Sequence, residues 1–432
     1  MATGTEGSVM QSTAVEAAVV PEYSKAYRVN ILFLLAASQA IAYLDRVNMS
    51  VAAPVLIRNY HWSAATVGIL LSVFNWAYTF TMLGAGPFVD WARARIAYPV
   101  GVFVWSMATL LCGTTVQFGH LAVFRAMLGV GEGPMLGSGI SVIQETFPKE
   151  QRATAVATFF SGNKIGLTLG IPFAASIYHW FGLAWMFYAA GILSLMWLPW
   201  FLLTYRGKER PAAREKSNIR WIDLLKYRTT WGAMLGNFGY LYVYFVYASW
   251  LPGYLGLQRK MSIMSSGFVS MLPFLVGVFA TLSGGYISDW LVKKGARVTV
   301  ARKVLSCGGL CTATVFTLLG AYSTSTWPAV TFLTLAVAGF SMATGSIQTM
   351  MVDVAPPRYV ASMVSMQNFL GNMGGAFAPM VTGILLARTK SFTAPLIVTA
   401  GVSLFAAFCY AFIVGSLDKE LTDKPQAAAA TA

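Results

Sequence analysis

The chain has 432 residues, of which 56% are apolar and only 11% charged, a balance that excludes an ordinary soluble domain and points to a polytopic membrane protein. Its net charge of +14 would suit a nucleic-acid binder. The basic residues, however, gather on one side of the expected membrane topology, so they need no nucleic acid to explain them.

A bilayer-crossing helix requires about 20 mostly apolar residues. The first 24 residues lack the basic, apolar and small-residue pattern of a cleaved signal and read as part of a tail, 1–27. Six apolar runs follow, near 28–54, 65–90, 96–117, 120–145, 152–177 and 182–204. They make an N-terminal bundle, 28–204. The polar stretch 205–228, "YRGKERPAAREKSNIRWIDLLKYR", reads as a cytoplasmic linker, with a short amphipathic helix expected on the membrane surface at 221–225. Six further runs, near 229–256, 263–289, 300–321, 326–352, 357–386 and 391–415, make a C-terminal bundle, 229–415, before a tail at 416–432. With the N-terminus in the cytoplasm, the loops on that side hold most of the Lys and Arg, which sets both termini there. Cys112, Cys307, Cys311 and Cys409 fall inside apolar runs and read as small packing residues, so neither a metal nor a cofactor is expected.

The two sets of six resemble each other. "GPFVDWARAR" (Gly86, Asp90, Arg93, Arg95) corresponds to "GGYISDWLVKKG" (Gly285, Asp289, Lys293, Lys294) at an offset of 199 residues, and "ETFPKEQRATA" (145–155) to "DVAPPRYVASM" (353–363). Parallel repeats with a site between them near mid-bilayer are a transporter architecture. The expected fold is therefore all-α, with twelve transmembrane helices in two pseudo-symmetric six-helix bundles.

"GPFVDWARAR" resembles the signature of the major facilitator superfamily between its second and third helices: a Gly, three residues, an Asp, then a basic cluster. It departs from that pattern at Trp91, where a basic residue is usual, and in lacking the Gly that follows. "YLDRVNMSVAAP" (43–54), "FRAMLGVGEGP" (124–134) and "NFLGNMGGAFAPMVTG" (368–383) together resemble its anion:cation symporter branch, above all the bacterial galactonate, hexuronate and glucarate carriers. The resemblance implies the major facilitator fold and proton-driven uptake of a small organic anion, typically a sugar acid, by a monomer in a bacterial inner membrane.

The ionisable residues inside the spans carry the chemistry. Of sixteen acidic residues only Asp45 and Glu132 lie well inside apolar runs, and the interior bases are Arg46, Arg125 and Lys164. Each charge at the bilayer centre costs about 2.5–3.5 kcal/mol on insertion scales, so it persists when paired or facing a wet cavity. Depth, at about 1.5 Å per residue, groups Asp45 and Arg46 with Arg125 in an outer cluster and sets Glu132 level with Lys164. Asp45 and Arg46 are adjacent and point about 100° apart, so they suit different partners: the cavity for Arg46, a proton path and Arg125 for Asp45. Arg46 presents a planar fork that matches a carboxylate. Arg125 either shares that anion or neutralises Asp45 or Glu132. Carboxylates gain and lose protons as their surroundings change, which suits Asp45 and Glu132 to proton coupling. For Lys164 two readings stay open: a second cation for a dicarboxylate, or a partner for Glu132.

The resemblance assigns anion binding to Arg46, protonation to Asp45 and Glu132, and polar substrate contacts to Tyr43, Tyr78 and Asn163. Asn368 and Asn372, one turn apart in the eleventh helix, are candidates for such contacts from the second half. The glycines of "GNKIGLTLGIP" and "GNMGGAFAP" read as sites of close helix contact. The loops with Gly86, Asp90 and Arg93, and with Gly285 and Asp289, are expected to tie helix ends together and bias the conformational equilibrium. Two alternatives remain beside a sugar-acid importer: a carrier of another carboxylate, aromatic or dicarboxylic, and a proton-driven exporter. Against export, the antiporter's Gly-Pro is interrupted by Ile171 in "GLTLGIPFAAS". An enzyme is not expected, because His61, His120 and His179 are too scattered to form a catalytic group.

Overall fold

The computed structural model describes residues 23–207, 225–355 and 360–418, without the side chains of 149, 150, 153, 154 and 360–362. The amphipathic helix expected at 221–225 falls almost wholly outside the described residues, as do most of both tails.

Thirteen α-helices make up the described chain: α1 (Lys25–Asn59), α2 (Ala64–Ala92), α3 (Ala94–Cys112), α4 (Phe118–Glu132), α5 (Met135–Thr146), α6 (Lys149–Phe181), α7 (Leu183–Thr204), α8 (Arg228–Leu257), α9 (Ile263–Lys293), α10 (Val298–Tyr322), α11 (Thr326–Val354), α12 (Val360–Thr389) and α13 (Thr393–Phe408). A π-helical turn, Cys409–Ile413, ends the last of them. The pieces α4 and α5 form one crossing, interrupted at Gly133 and Pro134, so twelve crossings result. Ten are apolar enough to be read as spans on composition alone. The other two, α6 and α8, carry Asn163 and Lys164 and a run of tyrosines.

Serine caps start several crossings. The hydroxyls of Ser24, Ser63 and Ser262 accept from the backbone N–H of Tyr27, Thr66 and Ser265, satisfying donors that a helix start leaves free. At the other terminus Thr299 donates through both its N–H and its hydroxyl to Asp418, which holds that carboxyl below the usual carboxylate range.

The repeat read from the loops recurs in the packing. Gly162, Gly166 and Gly170 set α6 against α1 so closely that a methyl group at each would meet Ala36, Ala40 or Leu44. In the second half Gly371, Gly374 and Gly375 set α12 against α8 in the same way, at Asn237, Phe238 and Phe245. Small residues let helix backbones approach where lipid supplies no hydrophobic drive, and this is the use expected for both glycine-rich stretches. Left-handed backbone at His61 and Lys260 falls at equivalent points, 199 residues apart, in the first loop of each half. Large apolar side chains such as Phe33, Leu203 and Phe279 face outward, as a lipid-bathed surface requires.

The two halves meet through α1 with α8, α2 with α12 and α6 with α9. Their named contacts cluster at mid-helix and toward the end opposite the termini. There Arg58 donates to the carbonyl of Gly256, Pro54 packs beside Gly256, Gly68 touches Pro379 and Gly383, and Gly267 touches Ala175. At the termini end Gly84 and Gly86 of α2 and Gly285 of α9 have open space where a side chain would begin. The far end is closed.

Candidate functional site

A narrow cavity of about 30 Å³ lies between the halves at mid-helix depth. The first half lines it with Tyr43, Arg46, Val47 and Ser50 of α1, Leu71, Phe74 and Asn75 of α2, Arg125 of α4 and Leu167 of α6; the second contributes Tyr244, Phe245, Ala248 and Ser249 of α8.

Helix packing brings the charged groups together. Gly129 lets α4 lie directly on α2, where a methyl group would strike the carbonyl of Phe74 and the N–H of Tyr78. One turn further on, at the last residue of α4, Glu132 is fully buried beneath Arg46. Arg46 donates through Nε at 2.7 Å and Nη2 at 2.5 Å to the same oxygen, Glu132 Oε2. The other oxygen, Oε1, has no partner among the described residues. The guanidinium also stands 4.6 Å from the ring of Tyr43, 4.9 Å from Phe74 and 4.8 Å from Tyr78, an aromatic surround that attracts its charge.

This pairing differs from the grouping by depth. Glu132 is matched with Arg46, not with Lys164, whose ammonium rests 5.8 Å from the ring of Tyr244. Axial rise locates a Cα; it leaves the direction of the side chain open, and a long arginine spans the difference. Arg125 makes no ion pair within 4 Å among the described residues, and its Nε has no hydrogen-bond partner, but both Glu132 and Asp45 lie within its electrostatic reach. It is nonetheless 2% exposed, with Phe74 at 5.1 Å. A single phenylalanine ring thus stands between two guanidiniums. Asp45 turns to a different side of α1, as the 100° between neighbours demands, and accepts from the hydroxyl of Ser194 at 2.7 Å; it makes no ion pair with Arg125, although the two lie within electrostatic reach. Its Oδ1 has no partner among the described residues.

The remaining predicted positions divide. Tyr43 lines the cavity, whereas Tyr78 gives its ring face to Arg46. Asn163 leaves its carbonyl oxygen buried without a partner and lies outside the cavity lining. Asn368 and Asn372 each donate one amide N–H one turn back, to Val364 O at 3.0 Å and Asn368 O at 2.9 Å, and Asn372 also reaches the Met82 sulfur of α2 at 4.0 Å across the halves. In the loops, Asp289 pairs with Arg302 at 3.0 Å. Asp90 is exposed and makes no ion pair among the described residues; Arg93 serves as the left-handed junction between α2 and α3.

Four contributors escaped the sequence reading. Arg302 joins Asp289, Asp353 and Ser288 at 2.7–3.0 Å, and so ties together three crossings of the second half. Ser194 is the partner of Asp45, and nothing in a lone serine announces it. Phe74 and Tyr244 did leave a signal. Phe74 precedes Tyr78 by four residues, and Tyr240, Tyr244 and Tyr247 recur at helical spacing, each pattern one face of a helix.

Comparison with known proteins follows the same line. The sequence matches the family model of the Major Facilitator Superfamily over residues 35–301 and 297–431. It is 31% identical over 427 residues to the "Probable L-galactonate transporter" of Escherichia coli (strain K12), covering 95% of this chain and 92% of that one. The "Hexuronate transporter" of Bacillus subtilis (strain 168) is 30% identical over 391 residues, covering 87% and 92% of the two chains. The "Probable galactarate/D-glucarate transporter GarP" of Escherichia coli (strain K12) is 27% identical over 428 residues, covering 90% and 95%. Among solved structures, a bacterial homolog to the human lysosomal transporter Spinster, in an inward-facing and occupied conformation, matches with a TM-score of 0.78 at 18% identity, over 90% of this chain and 97% of that one. That last likeness is one of fold. With a family match that runs nearly the length of the chain, and helices that repeat across two halves, this protein belongs to the major facilitator superfamily of membrane transporters.

Proposed function

We propose that the chain imports a hydroxylated organic anion, a sugar acid, together with protons, by alternating access across a bacterial inner membrane. The observation that carries this reading is Arg125: a buried guanidinium lining the cavity with no acid partner among the described residues. An unmatched buried cation is costly, and an entering carboxylate removes the cost. The substrate class comes from the relatives, whose names specify galactonate, hexuronate and galactarate or glucarate. Tyr43 supplies a hydroxyl suited to a polyhydroxylated chain, and Ser50 and Asn75, which donate to Ala248 O at 2.9 Å and Gly375 O at 3.4 Å, keep oxygens that can accept from it.

Proton coupling follows from competition for Arg46. While Glu132 is ionised it holds that guanidinium through two donors. Once Glu132 is protonated, Arg46 is free to take the substrate's carboxylate alongside Arg125, since one fork serves one carboxylate well. Asp45 is the second proton carrier in this scheme. The single proton of Ser194 Oγ has two acceptors in reach, Asp45 Oδ2 at 2.7 Å and Ala190 O at 3.0 Å. When the hydroxyl turns to Ala190, its contact with Asp45 survives only if Asp45 itself donates, which requires a proton there.

Charge distribution supports cytoplasmic termini, in which case the closed far end makes this the inward-facing arrangement. Glu132 on Arg46 then represents the empty carrier after release. In this scheme 28–204 and 229–415 are the rocking bundles of a monomer, 205–228 the linker between them, and 1–27 and 416–432 cytoplasmic tails. The test is uptake into proteoliposomes under an inward proton gradient, across galactonate, glucuronate, glucarate and an aromatic acid. A sugar acid should accumulate above its external concentration and leak out when a protonophore is added. Equilibration without accumulation would remove the proton coupling; transport of the aromatic acid alone would remove the substrate class.

A further inference from the structure

The cavity holds more positive charge than the chain's own acids balance. Arg46 is matched by Glu132, and Asp45 lies across α1 against Ser194. Among the described residues two interior cations are left without a carboxylate, Arg125 on α4 and Lys164 on α6. Each stands on an aromatic ring that lines the cavity: Arg125 lies 5.1 Å from Phe74, and Lys164 Nζ lies 5.8 Å from Tyr244. The face of a ring satisfies an ammonium only in part, because it accepts none of its three N–H donors in a full hydrogen bond. The two cations also differ in kind and in origin. Arg125 offers a planar fork within the lining; Lys164 offers a point charge on another helix, outside the lining itself but beside its member Tyr244 from the second half.

We infer that Lys164 is a second anion-binding group of this site, and that the substrate is a hydroxylated dicarboxylate of the aldarate class. One carboxylate meets Arg125, joined by Arg46 after Glu132 takes a proton, and the other meets Lys164. The inference rests on the sugar-acid reading above and narrows it. An aldonate or a hexuronate has a single carboxylate, so it leaves Lys164 facing a neutral hydroxyl, a half-buried charge still unmatched. A dianion matches both cations, and the difference between the two ligands is the source of selectivity. An ammonium suits the distal carboxylate, because it demands no fixed plane from a group whose orientation changes with the stereochemistry of the chain.

The test is calorimetric titration of the purified full-length protein with D-glucarate and with D-gluconate, which differ at one terminal carbon. D-glucarate should bind at least tenfold more tightly. In Lys164→Gln the ratio of the two dissociation constants should move at least tenfold toward D-gluconate, and Lys164→Arg, which restores the charge, should recover most of the preference. Equal binding of the two acids by the unmodified protein, or an equal loss of both in Lys164→Gln, would overturn the inference while leaving the sugar-acid reading intact. Binding of neither acid by the unmodified protein would overturn both.

Discussion

Arg46 and Glu132 are buried together, and each makes the other tolerable. Removing one partner of such a pair costs about 3–5 kcal/mol, because the survivor keeps its charge in a medium that cannot solvate it. In the proposed scheme a substrate carboxylate displaces Glu132 only if a proton neutralises Glu132 at the same time, and that exchange of partners links anion binding to proton binding. Arg125 tests the anion site from its other side. Arg125→Lys keeps the charge and removes the fork, and loss of a charge-assisted hydrogen bond, at about 1.5–3 kcal/mol, should weaken substrate binding about 10- to 150-fold by titration. Binding within twofold of the unmodified protein would show that Arg125 does not touch the anion. The residue types of this site were legible in the sequence, since five charges inside apolar runs demand explanation. Their partners were not. Depth along a helix axis set Glu132 beside Lys164, but the close packing allowed by Gly129 and the reach of the Arg46 side chain brought Glu132 to Arg46 instead.

At the scale of helices, the crossings and most of their ends follow from apolar runs closed by serine caps and polar loops. The break between α4 and α5 does not, because both pieces are apolar and hydropathy runs through Gly133 and Pro134 without interruption. Which glycines pack and which stand free is likewise a property of the conformation, not of the motif. Gly86 and Gly285 belong to the loop signature, yet both face open space here, while Gly68, outside any signature, is pressed between Pro379 and Gly383. A methyl group on Gly68 would lie 2.6 Å from Pro379 O and 2.9 Å from Gly383 Cα. Overpacking of this kind costs about 1–3 kcal/mol, and it is paid only while the far end is closed. Gly68→Ala should shift the population toward a far-side-open state about 5- to 150-fold. Pulsed electron spin resonance between labels at Tyr60 and Arg388, exposed positions near the far ends of α1 and α12, should report a longer distance in the variant. An unchanged distribution would mean that this contact does not hold the far end shut.

For the whole molecule, the repeat seen in two loop motifs extends to the glycine-packed pairs α1 with α6 and α8 with α12, but the site is not symmetric. The first half supplies Arg46, Glu132, Arg125 and Asp45, and the second supplies Tyr244, Phe245, Ala248 and Ser249, none of them charged. Such a division suits a carrier in which one bundle binds and the other gates, with both ligands deciding which arrangement is favoured. Substrate binding that draws a proton onto Glu132 must tighten as pH falls, because affinity and proton uptake are linked. The most direct measurement is the number of protons taken up per D-glucarate bound, obtained by titrating the purified protein in buffers of differing ionisation enthalpy. The exchange of Arg46 from Glu132 to substrate predicts uptake of at least one proton, reduced by about one in Glu132→Gln; binding without proton uptake, or uptake unchanged in that variant, would contradict it.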